Sequence, residues 1–524
     1  MLYWGGIFLQ KPFPSTIFLD FMDRISFFSD LRRNLSSLTI LDWLFLVLLA
    51  VFPFSVRKIL FFEPLGGVFN EYSSVYVTVA DIFLLFFITA FLWKYKLSFL
   101  SIFAKWWFLT VFLAIALLSF LWYDIKLVFV LRFFQLVSVA FVFWYLVSFV
   151  RNVPPASTEG GRGTFFLIVF LLVSFFGIFH SLVGIFQFLF QSSLRLRFLG
   201  ESVLSTDIPG VAEIIFRGEP FLRSYGVFLH PNIFGGFLLF SIASTLTLCF
   251  LVRLSIVPRG TLPCGRGTIL NPVLSFFEHH YLFVLFLQTF ALVLTFSKSA
   301  LIGLFVLFTY CLSIVPRGTI FSRLSVVYHQ MRGRFIVSLF VCSFFLLVFS
   351  FLLSVDVFSF FDKSLFERGF YLDITFSLLQ NNWFFGVGLG NFVSSMQNFA
   401  VFPLESWQFQ PVHTLFLLVL SETGFVGLLF FLLFLFSLFH LPRRQAGVEQ
   451  SQKSFVPTST IVPRGTMEDY FVFPPSVIFR GLLLAYLFIM FFDHYFWDIR
   501  QGQFLLFLCF GFLVVFSQKQ FQRL

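Results

Sequence analysis

Polar residues arrive in bunches along this chain, and long, continuous apolar runs lie between them. Runs of about 20 residues are long enough to cross the hydrocarbon core of a bilayer as helices. Read in windows of about 19 residues, the pattern predicts about twelve spans: 38–56, 75–93, 103–122, 127–150, 165–190, 227–252, 281–296, 299–316, 335–354, 414–440, 476–492 and 499–517. Apolar positions within each run are consecutive and do not alternate, which predicts helices and not a barrel. The expected architecture is an all-α, polytopic integral membrane protein. Residues 1–37 stand apart, because Asp20, Asp23, Arg24, Asp30, Arg32 and Arg33 precede any long apolar run. No cleavable signal peptide is expected there. Phe18, Phe21, Met22, Ile25 and Phe28 fall at helical spacing, so the segment reads either as an interfacial helix or as a tail with scattered hydrophobes. Residues 38–524 read as a single polytopic membrane domain.

Composition agrees with this reading. The chain is 59% hydrophobic and 11% charged, where soluble domains are about 25% charged. A soluble enzyme and a disordered protein are both excluded. The 92 Phe are too many for interfacial belts, which favour Trp and Tyr; they read as lipid-facing and packing filler. With the N-terminus inside, the inner segments carry 21 of the 35 Lys and Arg, so that the inner side is strongly positive. This positive-inside pattern places both termini in the cytoplasm. The net charge of +10 therefore marks topology, and no basic stripe with stacking aromatics points to nucleic acid. Cys249, Cys264, Cys311, Cys342 and Cys509 avoid the predicted outer loops and form no C-x-x-C pair, which implies neither a disulfide framework nor a thiolate metal site. Ile-Val-Pro-Arg-Gly-Thr recurs at 256–261, 314–319 and 461–466, and Gly-Arg-Gly-Thr at 161–164 and 265–268. A repeat this short buries no face, and it reads either as inner-loop filler or as a docking or regulatory element.

The scarce charges within spans carry their own expectations, because ionisable groups at membrane depth are costly. Asp42, Lys105 and Arg480 lie near inner helix ends and can snorkel. Asp81 and Arg132 are expected to line a cavity or to pair with one another. Glu422, about two turns into the tenth span, is expected chiefly to hydrogen-bond a neighbouring helix.

Two outer loops are long, 191–226 and 355–413, and loops of that length tend to be functional. Arg223-Ser-Tyr-Gly226 leads into His230-Pro231-Asn232. Ser297-Lys298-Ser299 forms a tight outer turn. Arg368-Gly369 is followed by Asn382-Trp383-Phe-Phe-Gly386-Val-Gly388-Leu-Gly390-Asn391. Pro411-Val-His413-Thr414 precedes Ser421-Glu422-Thr-Gly424, and Asp493-His494-Tyr495 precedes Trp497 and Gln501-Gly502-Gln503. The three glycines at 386, 388 and 390 are expected to shape a turn.

This ordered set resembles the bacterial O-antigen ligase and polymerase family over about residues 220–510. The resemblance is strongest from Arg368 to Phe430, within a core of about 220–440 that includes the outer loop 355–413. It implies a metal-independent glycosyltransferase with no cofactor, in the bacterial cytoplasmic (inner) membrane, with its active site on the periplasmic side. The implied partners are an undecaprenyl-pyrophosphate-linked glycan donor, the lipid bilayer, and lipid A core or a growing glycan as acceptor. The family's loop histidine carries over to His413, its arginine before a glycine to Arg223, and its tight-turn arginine to Lys298. Lys298 departs from the pattern, keeping the charge and losing the two-pronged fork.

The residue types fit that chemistry. An acceptor hydroxyl needs a base near neutral pH, which His413 supplies. A departing pyrophosphate needs cations, and Arg223, Lys298 and Arg368 are candidates. Asn232 is a further substrate contact, and His230, Glu422, Asp493 and His494 are possible supporting groups. Glu63 and Glu71, in the first outer loop, stand eight residues apart and do not form a D-x-D-like pair, so no catalytic metal is expected. The alternatives within the class are a surface-polysaccharide polymerase and a protein O-oligosaccharyltransferase. Outside it stands a lipid-linked glycan transporter, which should show related halves and midplane charges; one half of this sequence does not repeat the other.

Overall fold

The computed structural model describes residues 38–122, 126–149, 159–208, 210–216, 218–256, 270–314, 357–440 and 473–518. The 1–37 segment, the expected span 335–354, Cys264, Cys342 and most of the repeats lie outside these residues. The molecule is a helical bundle. Its first helices are α1 (Ile40–Val51), α2 (Val79–Tyr95), α3 (Phe99–Lys105), α4 (Trp107–Leu118), α5 (Lys126–Phe149) and α6 (Glu159–Phe190). There follow α7 (Pro231–Ile256), α8 (Leu270–Leu294), α9 (Lys298–Ile314), α10 (Val357–Asn382) and the short α11 (Phe392–Ser395). The chain closes with α12 (Leu415–Phe439), α13 (Pro475–Met490), the short α14 (Tyr495–Asp498) and α15 (Arg500–Phe516). Five helices among the described residues are long and apolar enough to cross a membrane, and six apolar helices are shorter.

Phe fills the interior as well as the surface. Phe170, Phe479, Phe512 and Phe516 interlock with ring centroids 5.1–5.9 Å apart. Each such pair is worth about 0.5–1.5 kcal/mol beyond the area it buries.

Several expectations are corrected. Two antiparallel hairpins interrupt the helical pattern: β1 (Arg57–Phe62) with β2 (Ser74–Thr78), and β3 (Glu213–Phe216) with β4 (Glu219–Leu222). The β-branched run Ser74-Val-Tyr-Val-Thr78 therefore pairs as a strand, and the second helix starts only at Val79. The third apolar run breaks at Trp106 into two short helices. The segment expected as a long outer loop, 355–413, opens with a 26-residue helix; its many charges had hidden it from a hydropathy window. Asp42 and Asp81 do not snorkel or pair with Arg132. Both sit at the third position of a helix, in capping boxes with Thr39 and Thr78, where carboxylates meet free backbone N–H groups. Asp42 also accepts from Tyr145 Oη. Asp81 pairs with Arg500 at 2.8 Å in the buried interior. Losing one partner of such a pair would cost about 3–5 kcal/mol.

Gly424 breaks α12, with φ +68° and ψ −176°. The backbone groups released there are taken up by the glycine segment. Val387 and Gly388 N–H donate to the Ser421 and Glu422 carbonyls at 2.8 and 2.9 Å, and Phe425 N–H donates to the Trp383 carbonyl at 2.8 Å. Irregular backbone within an apolar bundle is tolerated where the protein itself satisfies it. A Cβ on Gly424 would lie 2.1 Å from the Phe384 carbonyl oxygen, and one on Gly386 would lie 2.6 Å from the Glu422 backbone. Gly386, Gly388 and Gly390 all have positive φ, so they shape the turn as expected and clamp it onto the broken helix.

Candidate active site

The connections between helices converge at one end of the bundle. Ser55 Oγ donates to the Val227 carbonyl, Asn70 Nδ2 to the Phe409 carbonyl, and Leu389 N–H to Ser119 Oγ. Arg223, His230, Asn232, Lys298, Arg368, His413, Asp493 and His494 gather there, with Glu422 at their edge.

Arg223 follows β4 and is buried. Its Nε donates to the Thr295 carbonyl and its Nη2 to Asn232 Oδ1, both at 2.7 Å. Asn232, in the first turn of α7, donates from Nδ2 to Asp493 Oδ2 at 2.7 Å. Arg223, Asn232 and Asp493 thus form one chain across three segments remote in sequence. Burial pushes the Arg223 guanidinium down to about 10, against the pull of Tyr225 and Asp493, and it stays charged at neutral pH. Burial raises the Asp493 carboxyl, with His494 and Asn232 opposing. His230 Nδ1 accepts the Asn232 backbone N–H at 3.2 Å, so His230 caps the start of α7. Burial, then Arg223, holds its ring well below the usual histidine range.

Lys298 opens α9 directly after the tight turn. Phe296 adopts φ +49° there, a left-handed conformation uncommon for a bulky residue. The turn delivers both the Thr295 carbonyl to Arg223 and Lys298 to within electrostatic reach of Arg223 and Arg368. Arg368, on α10, donates from Nη2 to the Phe492 carbonyl at 3.3 Å and lies 5.7 Å from the centre of that ring.

His413 stands just before α12. The Tyr371 ring meets it edge-on at 5.3 Å, and the His494 ring lies 5.4 Å away at 35°. Burial, then the nearby His494 and Arg368, pushes His413 down to about 3, so the ring is neutral and able to accept a proton. His494 is the opposite case. Burial lowers it, but Asp498, with Nδ1 2.8 Å from Oδ2, and Asp493 prevail and raise it.

Glu422 lies on the α12 side of His494, within electrostatic reach of it, and accepts Trp497 Nε1–H at 2.8 Å, a contact to another segment as expected. Arg132 reaches the Asp498 carbonyl at 2.9 Å and the Tyr72 and Glu71 carbonyls at 3.4 Å, which ties the first hairpin to α14. Together with Tyr72, Gly390, Trp497 and Asp498, these two residues line a cavity of about 20 Å³, room for about one water and too small for a sugar. Among the described residues, no three His, Cys, Asp or Glu side chains group with metal-ligand spacing.

Asp498 and Tyr371 were missed in the sequence. Asp498 lies four residues after His494, a spacing that carries a signal only once the turn between them is known.

These features define a helical membrane protein with a cationic, histidine-bearing site at one end of its bundle. Residues 283–432 match the family model described as O-antigen ligase. The match includes Lys298, Arg368, His413 and Glu422, and it falls inside the span over which the resemblance was read. Comparisons with curated proteins and with solved structures give no match.

Proposed function

We propose that the chain is a membrane glycosyltransferase moving a glycan from undecaprenyl pyrophosphate to an acceptor hydroxyl, in the manner of an O-antigen ligase. In this reading about twelve spans leave both termini in the cytoplasm, and the site opens at the outer face of the inner membrane. The observation that carries it is the placement of His413, 5.4 Å from the His494 ring and within reach of Arg368, beside Lys298, which is linked to Arg368 and Arg223.

His413 takes the proton of the acceptor hydroxyl as its oxygen attacks the anomeric carbon. The bond from that carbon to the phosphate oxygen breaks with inversion, and the electron pair leaves on undecaprenyl pyrophosphate. Arg223 and Lys298, assisted by Arg368, stabilise the departing charge, so the side chains do the work a metal would otherwise do. Asn232 holds Arg223 in place. His413 is a weak base in the empty site. Bound pyrophosphate adds negative charge beside Arg368 and His494, and this raises its basicity when the donor is present.

The reading is tested in proteoliposomes supplied with lipid-linked glycan and lipid A core. Glycan on the core, with released undecaprenyl pyrophosphate, is expected. Elongated lipid-linked glycan would favour the polymerase, and glycoprotein a protein acceptor. Glycan that crosses the membrane with no new bond would sink the enzyme reading in favour of the transporter.

Lys298→Ala is expected to slow transfer by about 10–100-fold, as for one lost electrostatic donor. Lys298→Arg should keep or improve the rate, because it restores a fork. Equal loss in both variants would show that the position tolerates only lysine and does not act through its charge.

A further inference from the structure

The roles assigned above leave Asp498 unused, although it is buried and in direct contact with the site. Both of its carboxylate oxygens lie within 3.0 Å of His494 Nδ1, and both residues are less than one-tenth exposed. The pair is fixed from two sides. Trp497 N–H donates to the His494 carbonyl at 2.8 Å, and Arg132 Nη1 donates to the Asp498 carbonyl at 2.9 Å. A carboxylate on Nδ1 makes that nitrogen the donor and leaves Nε2 on the far side of the ring. Among the described residues, Nε2 has no hydrogen-bond partner.

The groups facing His494 come from every neighbouring element. Asp493 and Asp498 lie on its own segment, Glu422 on α12, and His413 just before α12. Tyr72, from the first hairpin, meets the ring at 6.2 Å. His230, ahead of α7, lies within electrostatic reach.

We propose that Asp498 is a positioning residue that holds His494 as a charged donor, so that His494 Nε2–H binds the donor's pyrophosphate beside Arg223 and Lys298. The inference rests on the glycosyl-transfer reading. It also adds to the burial that keeps His413 neutral, since a second charge 5.4 Å away further opposes protonation there.

The test is binding of undecaprenyl pyrophosphate by the full chain in phosphatidylcholine nanodiscs, measured from pH 5 to pH 9. Asp498→Asn keeps the shape and a hydrogen bond to Nδ1 and removes the charge. At pH 7.5 it is expected to bind about tenfold more weakly than the native chain, the equivalent of one pKa unit. Towards pH 5, where protonation of the imidazole depends less on the carboxylate, the difference should shrink. The probe's own titration is common to both proteins. Equal weakening at both pH values, or none, would overturn the inference while leaving the transferase reading intact. No binding by the native chain at any pH would overturn the reading itself. Should Asp498→Asn not fold, His494→Gln serves: it should bind weakly at pH 5 as well, and native affinity there would also overturn the inference.

Discussion

Replacing His413 with alanine is expected to slow glycan transfer by about 10³-fold, within the range for loss of a positioned general base, while leaving donor binding largely intact. The side chain packs between the Tyr371 and His494 rings and makes no cap to α12, whose N-cap is Thr414. Its loss therefore removes chemistry more than structure. Initial rates at saturating and limiting donor separate the two: kcat should fall and KM should change little. Full transfer by a normally inserted His413→Ala would remove the histidine from the mechanism. The pH dependence adds a second check. Because His413 is pushed down to about 3, its protonation cannot produce an acid limb near 6.5 in kcat/KM of the free enzyme. For stability the sign runs the other way from a salt-bridged histidine. The folded value lies below the unfolded one, so the contribution is fully present above about pH 6.5 and is lost as pH falls towards 3.

Arg223→Ala is expected to cost about 10²–10³-fold in transfer and also about 1–3 kcal/mol of stability, since it leaves the Thr295 carbonyl and Asn232 Oδ1 without their donor. Arg223→Lys should not rescue it, because one ammonium cannot serve two acceptors in the guanidinium geometry and still face a phosphate. Transfer rates and thermal unfolding in detergent check both parts. A lysine variant with native rate and melting temperature would show that only the charge matters. Asn232→Ala should show a milder form of the same defect, because Asn232 links Arg223 to Asp493.

Both predictions depend on residues whose positions come from different levels of structure. The apolar runs were legible because hydrophobicity over about 20 residues is a local property, and each run within the described residues contains helix. What hydropathy could not show was structure with mixed polarity. The helix Val357–Asn382 carries enough charge to read as loop, and Ser74–Thr78 is apolar enough to read as span. The capping roles of Asp42 and Asp81 were written in the sequence as Thr-x-x-Asp, at Thr39 and Thr78. An acid inside an apolar run carries two opposed signals, its cost at membrane depth and its fitness for a helix start, and the helix boundaries decide between them.

The candidate site divides in the same way. The sequence by itself determined the chemical inventory: a histidine before the tenth apolar run, cations at Arg223, Lys298 and Arg368, and a turn-forming glycine series at 386–390. Residue type and local pattern suffice for these, because a base, a cation and a left-handed turn are properties of single residues and their immediate neighbours. Only the tertiary structure decided which of them meet. The Arg223–Asn232–Asp493 chain, the pairing of Arg132 with the Asp498 carbonyl and of Asp81 with Arg500, and the opposite pKa shifts of His413 and His494 all join segments far apart in the chain. Charge interactions and burial depend on distance in space, and the sequence does not set that distance until the helices have packed.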